Sequence, residues 1–496
     1  MSVRIQLDKP HAHFTNLDLI SGIVILSITG NETISLITVK LEGESRTRLA
    51  GPTNPRGTYD PYERDQAQLE VHKLLYQTQT VFPTQELLRA SGGSGNYTLP
   101  GNTYRYPFQF KIRLNNDCSN NNSVLTNLSP LRLEMARNTD RHVKKTLPPT
   151  LSGLPGEAEI RYYVKATVQR PAFYKENFRA IAPFTFLPIE PPRPPANKRE
   201  FYARRSHQFS PSIEVPGRPG LFRQPSMPTG PSASTVLPPN ISIDGRLPDP
   251  PIITCNEPLP LRILITKKND SPAKIYLQIL SINLIAFTTV RAHELRREEV
   301  SSWTILSSAN MRTPLNEVVG SDGSRVLEVD SRLWKQRTLP NTICPSFETC
   351  NIMRKYVLEV KVGLQWGSPN INPELSVQPL RIAVEVYSGI APPQALLDQL
   401  HRRPTGQAPY MASNLRPPGV VNGPPPQSPR PPVQQGPSDH IEPSPGDIPD
   451  EAPPSYEDAM ADDLGPIDGP RRQYEQQPSQ TPIGDEKRSG NDRLFP

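Results

Sequence analysis

Near the C-terminus, Glu451-Ala452-Pro453-Pro454-Ser455-Tyr456-Glu457-Asp458-Ala459 carries the spacing P-P-x-Y. Two prolines pre-set the polyproline II conformation, so an aromatic-lined groove receives the segment at little cost in backbone entropy. Three residues per turn put Pro453 and Tyr456 on one face, where the proline ring stacks on an exposed Trp and the phenol fills a neighbouring pocket. This is the ligand pattern of WW domains, with Pro453, Pro454 and Tyr456 as the contacts and Ser455 as the variable position. A chain with 61 prolines also produces such tetrapeptides by accident. The surroundings argue for a displayed peptide: Glu442 to Asp463 holds eight acids and no Lys or Arg, and such a segment cannot bury itself.

Other reactive residue types form no constellation. His11 and His13 would share one strand face, but without a Cys or third His nearby they read as residues of a solvated loop. Cys118, Cys255, Cys344 and Cys350 are scattered, and the last two lack zinc spacing. The expectation is therefore reduced structural thiols, with no metal and no disulfide framework. With no Gly-rich phosphate loop, nucleophile elbow or paired-carboxylate motif in the chain, a non-enzyme without cofactor is expected.

Three basic pairs are candidate contacts for cargo or an anionic membrane: Lys144 and Lys145 beside Arg141, Lys267 and Lys268, and Arg296 and Arg297 beside Arg291. The competing reading is that these are loop or edge-strand charges that keep sheets soluble. In Arg223-Gln224-Pro225-Ser226-Met227-Pro228, a phosphorylated Ser226 would have Arg three residues before it and Pro two after. That resembles a 14-3-3 site, against the alternative of a coincidence in this composition.

The elements that must carry these residues read as strands. Val3, Ile5 and Leu7 alternate, and apolar runs follow at 22–28 and 34–41. Leu69 to Pro83 could line a helix, but the β-branched stretch up to Pro83 favours an extended strand. Tyr104, Tyr106, Phe108, Phe110, Ile112 and Leu114 occupy every second position, as do Ile160, Tyr162, Val164, Ala166 and Val168. The same pattern returns at Leu261, Ile263 and Ile265, at Ile275, Leu277 and Ile279, at Tyr356 to Val362 and at Leu380 to Val386. No comparable helical periodicity appears, so the expected fold is all-β, two tandem immunoglobulin-like β-sandwiches.

Proline places the boundaries: 15 of the 61 fall in residues 190–251 and 23 in 391–496. The expected layout is a sandwich over 1–190, a disordered proline-rich linker over 191–251, a second sandwich over 252–390 and a disordered tail over 391–496. The tail has 9 Lys and Arg against 15 Asp and Glu, so the net charge of +6 hides a basic body. Such a body suits anionic partners, a membrane surface or an acidic segment. Without an Arg-rich recognition helix or aromatic platform, nucleic acid is the weaker choice and is not expected as a partner. No signal-like or membrane-spanning apolar run is present, which implies a cytoplasmic or peripheral protein.

Residues 16–24, Leu41-Glu42-Gly43, Gln79-Thr80-Val81-Phe82-Pro83, 101–110 and 160–168, in that order, resemble successive landmarks of the arrestin N-terminal domain in fungal α-arrestins. Residues 252–390 resemble the arrestin C-terminal domain by pattern and position. Pro453-Pro454-Ser455-Tyr456 is similar to the PY motif that such arrestin-related trafficking adaptors present to WW domains of HECT-class ubiquitin ligases. The resemblance implies an arrestin fold and an adaptor at the plasma membrane or endosomes. It would bring a ligase to transporter or receptor cargo and would itself be a substrate for covalent ubiquitin. A signalling scaffold that offers Tyr456 to a non-ligase WW partner remains the alternative.

Overall fold

Alternation at period two becomes a sandwich when each sheet turns its apolar face inward, and this happens twice along the chain. The computed structural model describes residues 1–10, 13–50, 67–90, 95–118, 125–129, 132–135, 142–154, 156–172, 176–195, 197–210, 237–315, 317–319, 325–366, 374–401 and 464–465. Among them the only helices are the short Gln85–Ala90, Arg332–Lys335 and Gln394–His401, and none is long and apolar enough to cross a membrane.

The first sandwich packs a three-stranded sheet against a six-stranded one. Ser2–Leu7, Leu19–Ser27 and Thr103–Lys111 make the smaller sheet, all antiparallel. The larger runs His13–Phe14, Phe178–Phe186, Ala158–Gln169, Leu36–Leu49, Gln68–Phe82, with Leu151–Leu154 against Ala158–Gln169. Every member of the Ile160, Tyr162, Val164, Ala166, Val168 series is buried. The ambiguous stretch before Pro83 is the strand Gln68–Phe82, as its β-branched residues suggested. Where Tyr162 crosses Leu36–Leu49, a Cβ on Gly43 would lie 2.5 Å from the ring, so only glycine lets the tyrosine lie flat there and donate its hydroxyl to the Pro148 carbonyl at 2.7 Å.

The second sandwich repeats the plan. A five-stranded sheet orders Glu200–Gln208, Asn240–Pro248, Arg262–Lys267, Arg325–Glu328 and Glu317–Val319. A seven-stranded sheet is centred on Ile275–Ala292, Ile352–Trp366 and Glu374–Tyr387. In Ile275–Ala292 the sequence periodicity slips by one residue: Leu277 is buried, Ile279 is half-buried, and burial resumes at Leu280, Ile282 and Leu284. The register shift lies opposite Gly363, whose absent Cβ would stand 2.7 Å from that of Ile279. A bulge of this kind re-aims the strand from that point on.

Two boundaries differ from the sequence expectation. Glu200–Gln208 and Asn240–Pro248 fall inside the stretch read as a disordered linker, yet they pair with each other and with Arg262–Lys267. Phe209, Ile241, Ile243 and Leu247 belong to the second core. Proline density averaged over the whole interval masked them; residues 211–236 lie outside the described residues. Likewise, the helix Gln394–His401 falls inside the stretch read as a disordered tail from residue 391, with Leu396 buried. His13 is also not in a solvated loop: it is buried in a strand that pairs in parallel with Thr185–Phe186.

Candidate functional site

The two sandwiches meet through polar groups rather than through apolar surface alone. Ser45 and Thr47, at the end of Leu36–Leu49, face the turn Thr349–Asn351 of the second sandwich. Ser45 Oγ donates to Asn351 Oδ1 at 2.6 Å, and Thr47 Oγ1 donates to the Arg291 carbonyl at 2.5 Å. Asn351 Nδ2 in turn donates to Thr47 Oγ1 at 3.1 Å. On the neighbouring strand Gln68–Phe82, Glu70 and His72 are two residues apart and so share one face of the sheet.

Glu70 is the hub of this seam and is fully shielded from solvent. Its Oε1 accepts from Arg291 Nη2 at 2.6 Å and lies 2.6 Å from His72 Nε2, while its Oε2 accepts from the His293 amide at 2.5 Å. Arg291 also donates from Nη2 to the Cys350 carbonyl at 2.7 Å. Burial alone would raise the Glu70 carboxyl, but the bonds from His72 and His293 and the charge of Arg291 outweigh it, and the group is held below its ordinary value. Burial would likewise lower His72, yet its bonds to Cys350 and Glu70 carry it above the ordinary imidazole value.

Behind His72 the seam gathers two thiols and a second imidazole. Cys118 Sγ lies 3.3 Å from His72 Nδ1, 3.1 Å from His142 Nδ1 and 3.5 Å from Cys350 Sγ. The four potential ligand atoms all lie within 4.8 Å of one another, a group able to hold a metal ion. The hydrogen bond between the sulfurs pulls Cys350 below the usual thiol range and pushes Cys118 up. The other two cysteines, Cys255 and Cys344, are buried thiols raised by burial.

Beside this seam the sandwiches enclose a cleft of about 1230 Å³, with Lys144 and Lys145 on one side, Glu348 and Lys355 on the other, and the Pro188–Pro194 stretch along it. Of the basic residues singled out in sequence, Lys145 pairs with Glu348 across the domains, and Lys144 is exposed. Arg297 pairs with Glu157 of the first sandwich at 2.7 Å; Arg296 is exposed on the same strand. Lys268 donates to Ser206 Oγ at 2.7 Å and Lys267 to the Ser271 carbonyl at 3.5 Å, both on the second sandwich. Arg291, read with them as a surface cation, is instead buried in the seam, because the strand that carries it ends against the first domain.

Pro453, Pro454, Tyr456 and Ser226 lie outside the described residues. Just beyond the motif, the Leu464 carbonyl accepts from Lys111 Nζ on the first sandwich at 2.6 Å. Glu70, His72 and His142 went unrecognised in sequence, and Cys118 and Cys350 were read only as structural thiols. One signal for them exists: Glu70 and His72 put ionisable groups into a strand whose Leu69, Val71, Leu74 and Leu75 are buried, and buried ionisable groups need partners.

Residues 3–188 match the family model described as arrestin (or S-antigen), N-terminal domain. The search of curated proteins gave no match.

Proposed function

We propose that this chain, which carries an arrestin N-terminal domain and whose all-β architecture supports an arrestin-family protein, is a non-catalytic adaptor that brings a WW-domain HECT-class ubiquitin ligase to a membrane transporter or receptor. The observation that carries this reading is Pro453-Pro454-Ser455-Tyr456 in an acidic segment downstream of the paired sandwiches. Tethering a ligase ligand to a cargo-binding body raises the effective concentration of the ligase at the cargo without any new chemistry. Lys144, Lys145, Lys267, Lys268, Arg296 and Arg297 offer positive charge for acidic cargo segments or the cytoplasmic leaflet, so the adaptor works from the cytoplasm at the plasma membrane or endosomes. A phosphorylated Ser226 would add a 14-3-3 contact, and the chain itself would accept ubiquitin.

Titration of a peptide spanning Glu451 to Met460 into WW domains tests the motif. Tyr456→Ala empties the specificity pocket and should cost about 2 kcal/mol, roughly thirtyfold in affinity, with Pro453→Ala also weakened and Ser455→Ala tolerated. Equal damage from Ser455→Ala, or no WW domain that binds, would refute the motif. Ubiquitylation of a membrane cargo that disappears with Tyr456→Ala supports the adaptor; WW binding without it leaves the scaffold with a non-ligase partner.

A further inference from the structure

The geometry points to a structural zinc site formed by His72, Cys118, His142 and Cys350, which staples the two sandwiches together. Three ligands come from the first domain: His72 from Gln68–Phe82, Cys118 from the segment after Thr103–Lys111, and His142 from the segment leading to Val143. Cys350, in the turn before Ile352–Trp366, comes from the second.

Zinc bound by two thiolates and two imidazoles is tetrahedral, with Zn–S about 2.3 Å and Zn–N about 2.0–2.1 Å. Those bond lengths require sulfurs about 3.8 Å apart and sulfur–nitrogen separations of about 3.6 Å. The observed 3.5 Å between the sulfurs, and 3.3 and 3.1 Å from Cys118 to the imidazole nitrogens, fall within about half an ångström of those figures, and all four ligand atoms lie within 4.8 Å of one another. The donor set itself selects the metal, since a tetrahedral pair of sulfurs and pair of nitrogens suits zinc, whereas calcium and magnesium want oxygen.

The surroundings match what a zinc ligand needs. His72 Nε2 lies 2.6 Å from the Glu70 carboxylate, which fixes the proton on Nε2 and leaves the Nδ1 lone pair facing the sulfurs. Glu70 is itself anchored by Arg291 and by the His293 amide. The Val143 amide donates to Cys350 Sγ at 3.2 Å, a contact that stabilises a thiolate. Three of the four ligands are buried and the fourth is half-buried, so all four positions are filled by protein. That is a closed site, suited to holding structure rather than to turning over substrate. On binding, both sulfurs coordinate as thiolates, the protons that the sulfurs and imidazoles still share pass to solvent, and the two negative charges neutralise the ion.

The test uses the full chain, produced in zinc-supplemented medium and purified without an affinity tag or chelator. Elemental analysis should find about one equivalent of zinc that survives dialysis, and cobalt exchanged into the site should show the ligand-field bands of a tetrahedral ion with thiolate charge transfer. The pair Cys118→Ser and Cys350→Ser should lose the zinc, whereas Cys255→Ser and Cys344→Ser, elsewhere in the cores, should keep it. Chelation of the wild type should speed amide exchange at Val143 and Asn351 and leave Val164 and Ile282, inside the separate sandwiches, unchanged. Substoichiometric zinc in the wild-type chain, an octahedral cobalt spectrum, or a Cys118–Cys350 disulfide in its place would overturn the assignment. The wild-type measurements decide the matter even if the serine pair does not fold.

Discussion

Arg291→Met keeps the side-chain stem and removes the charge at the seam. The guanidinium then no longer reaches Glu70 at 2.6 Å, the Cys350 carbonyl at 2.7 Å or the His293 carbonyl at 3.3 Å. Glu70 is fully buried, so the variant strands a carboxylate with only His72 and the His293 amide beside it. Removing one partner of a buried pair costs about 3–5 kcal/mol, most of it the penalty of the charge left behind. At 1.4 kcal/mol per factor of ten, the docked state of the two sandwiches loses on the order of a thousandfold against the undocked. Global melting is the wrong measure, because a two-domain chain need not unfold in one step. Hydrogen exchange resolves the seam directly. The amide of Arg291, bonded to the Asn351 carbonyl at 2.8 Å, and that of His293 should exchange two to three orders of magnitude faster, a range set by the same cost. Val164 and Ile282, inside the separate sheets, should not change. Adding Glu70→Gln should recover part of the loss, since the stranded charge is gone. Seam amides that exchange as in the wild type would refute the view that this pair holds the domains together.

Phe209→Ala should destabilise the second sandwich by about 3–5 kcal/mol, because the ring is buried against His207 and Trp366; an unchanged urea midpoint would return 200–210 to linker status. Acid should loosen the same sheet. Burial pushes Asp244 up, but Arg204 and Arg246 outweigh it and hold the group low, and Arg246 and Arg262 do the same for Glu200. With folded values depressed, this stabilisation is present above the unfolded range of about 4 and is lost as pH falls through the folded values, so Asp244→Asn should weaken the sheet at pH 7 and flatten its acid dependence in pH-resolved denaturation. On anionic vesicles, Lys144→Glu and Arg296→Glu should weaken binding more than the same change at Lys145 or Arg297, which already face Glu348 and Glu157. Each cation near such a surface contributes about 1 kcal/mol, and the affinity should fall with salt as charges are screened beyond about 8 Å; salt-independent binding would rule out the charge argument.

The strands were legible in the sequence because their signal is local. Side chains two apart face the same way, so Tyr104 to Phe110, Ile160 to Val168 and Tyr356 to Val362 announce a buried face without reference to the rest of the chain. The polyproline peptide at Pro453 to Tyr456 is equally local, since its preference is set by its own rings. Glu200–Gln208 escaped notice because it is an edge strand with mostly exposed side chains, and nothing in it alternates. At Ile279 the local rule misled, because the phase there is reset by the glycine on the neighbouring strand. The seam was beyond reach for a different reason. Glu70 and Arg291 are 221 residues apart, and Cys118 and Cys350 are 232 apart, so no spacing links them. Each is an ordinary residue of its own sandwich until the two sandwiches dock. Only that docking removes the water, sets Arg291 against Glu70, places Cys350 beside His72, Cys118 and His142, and so completes the site.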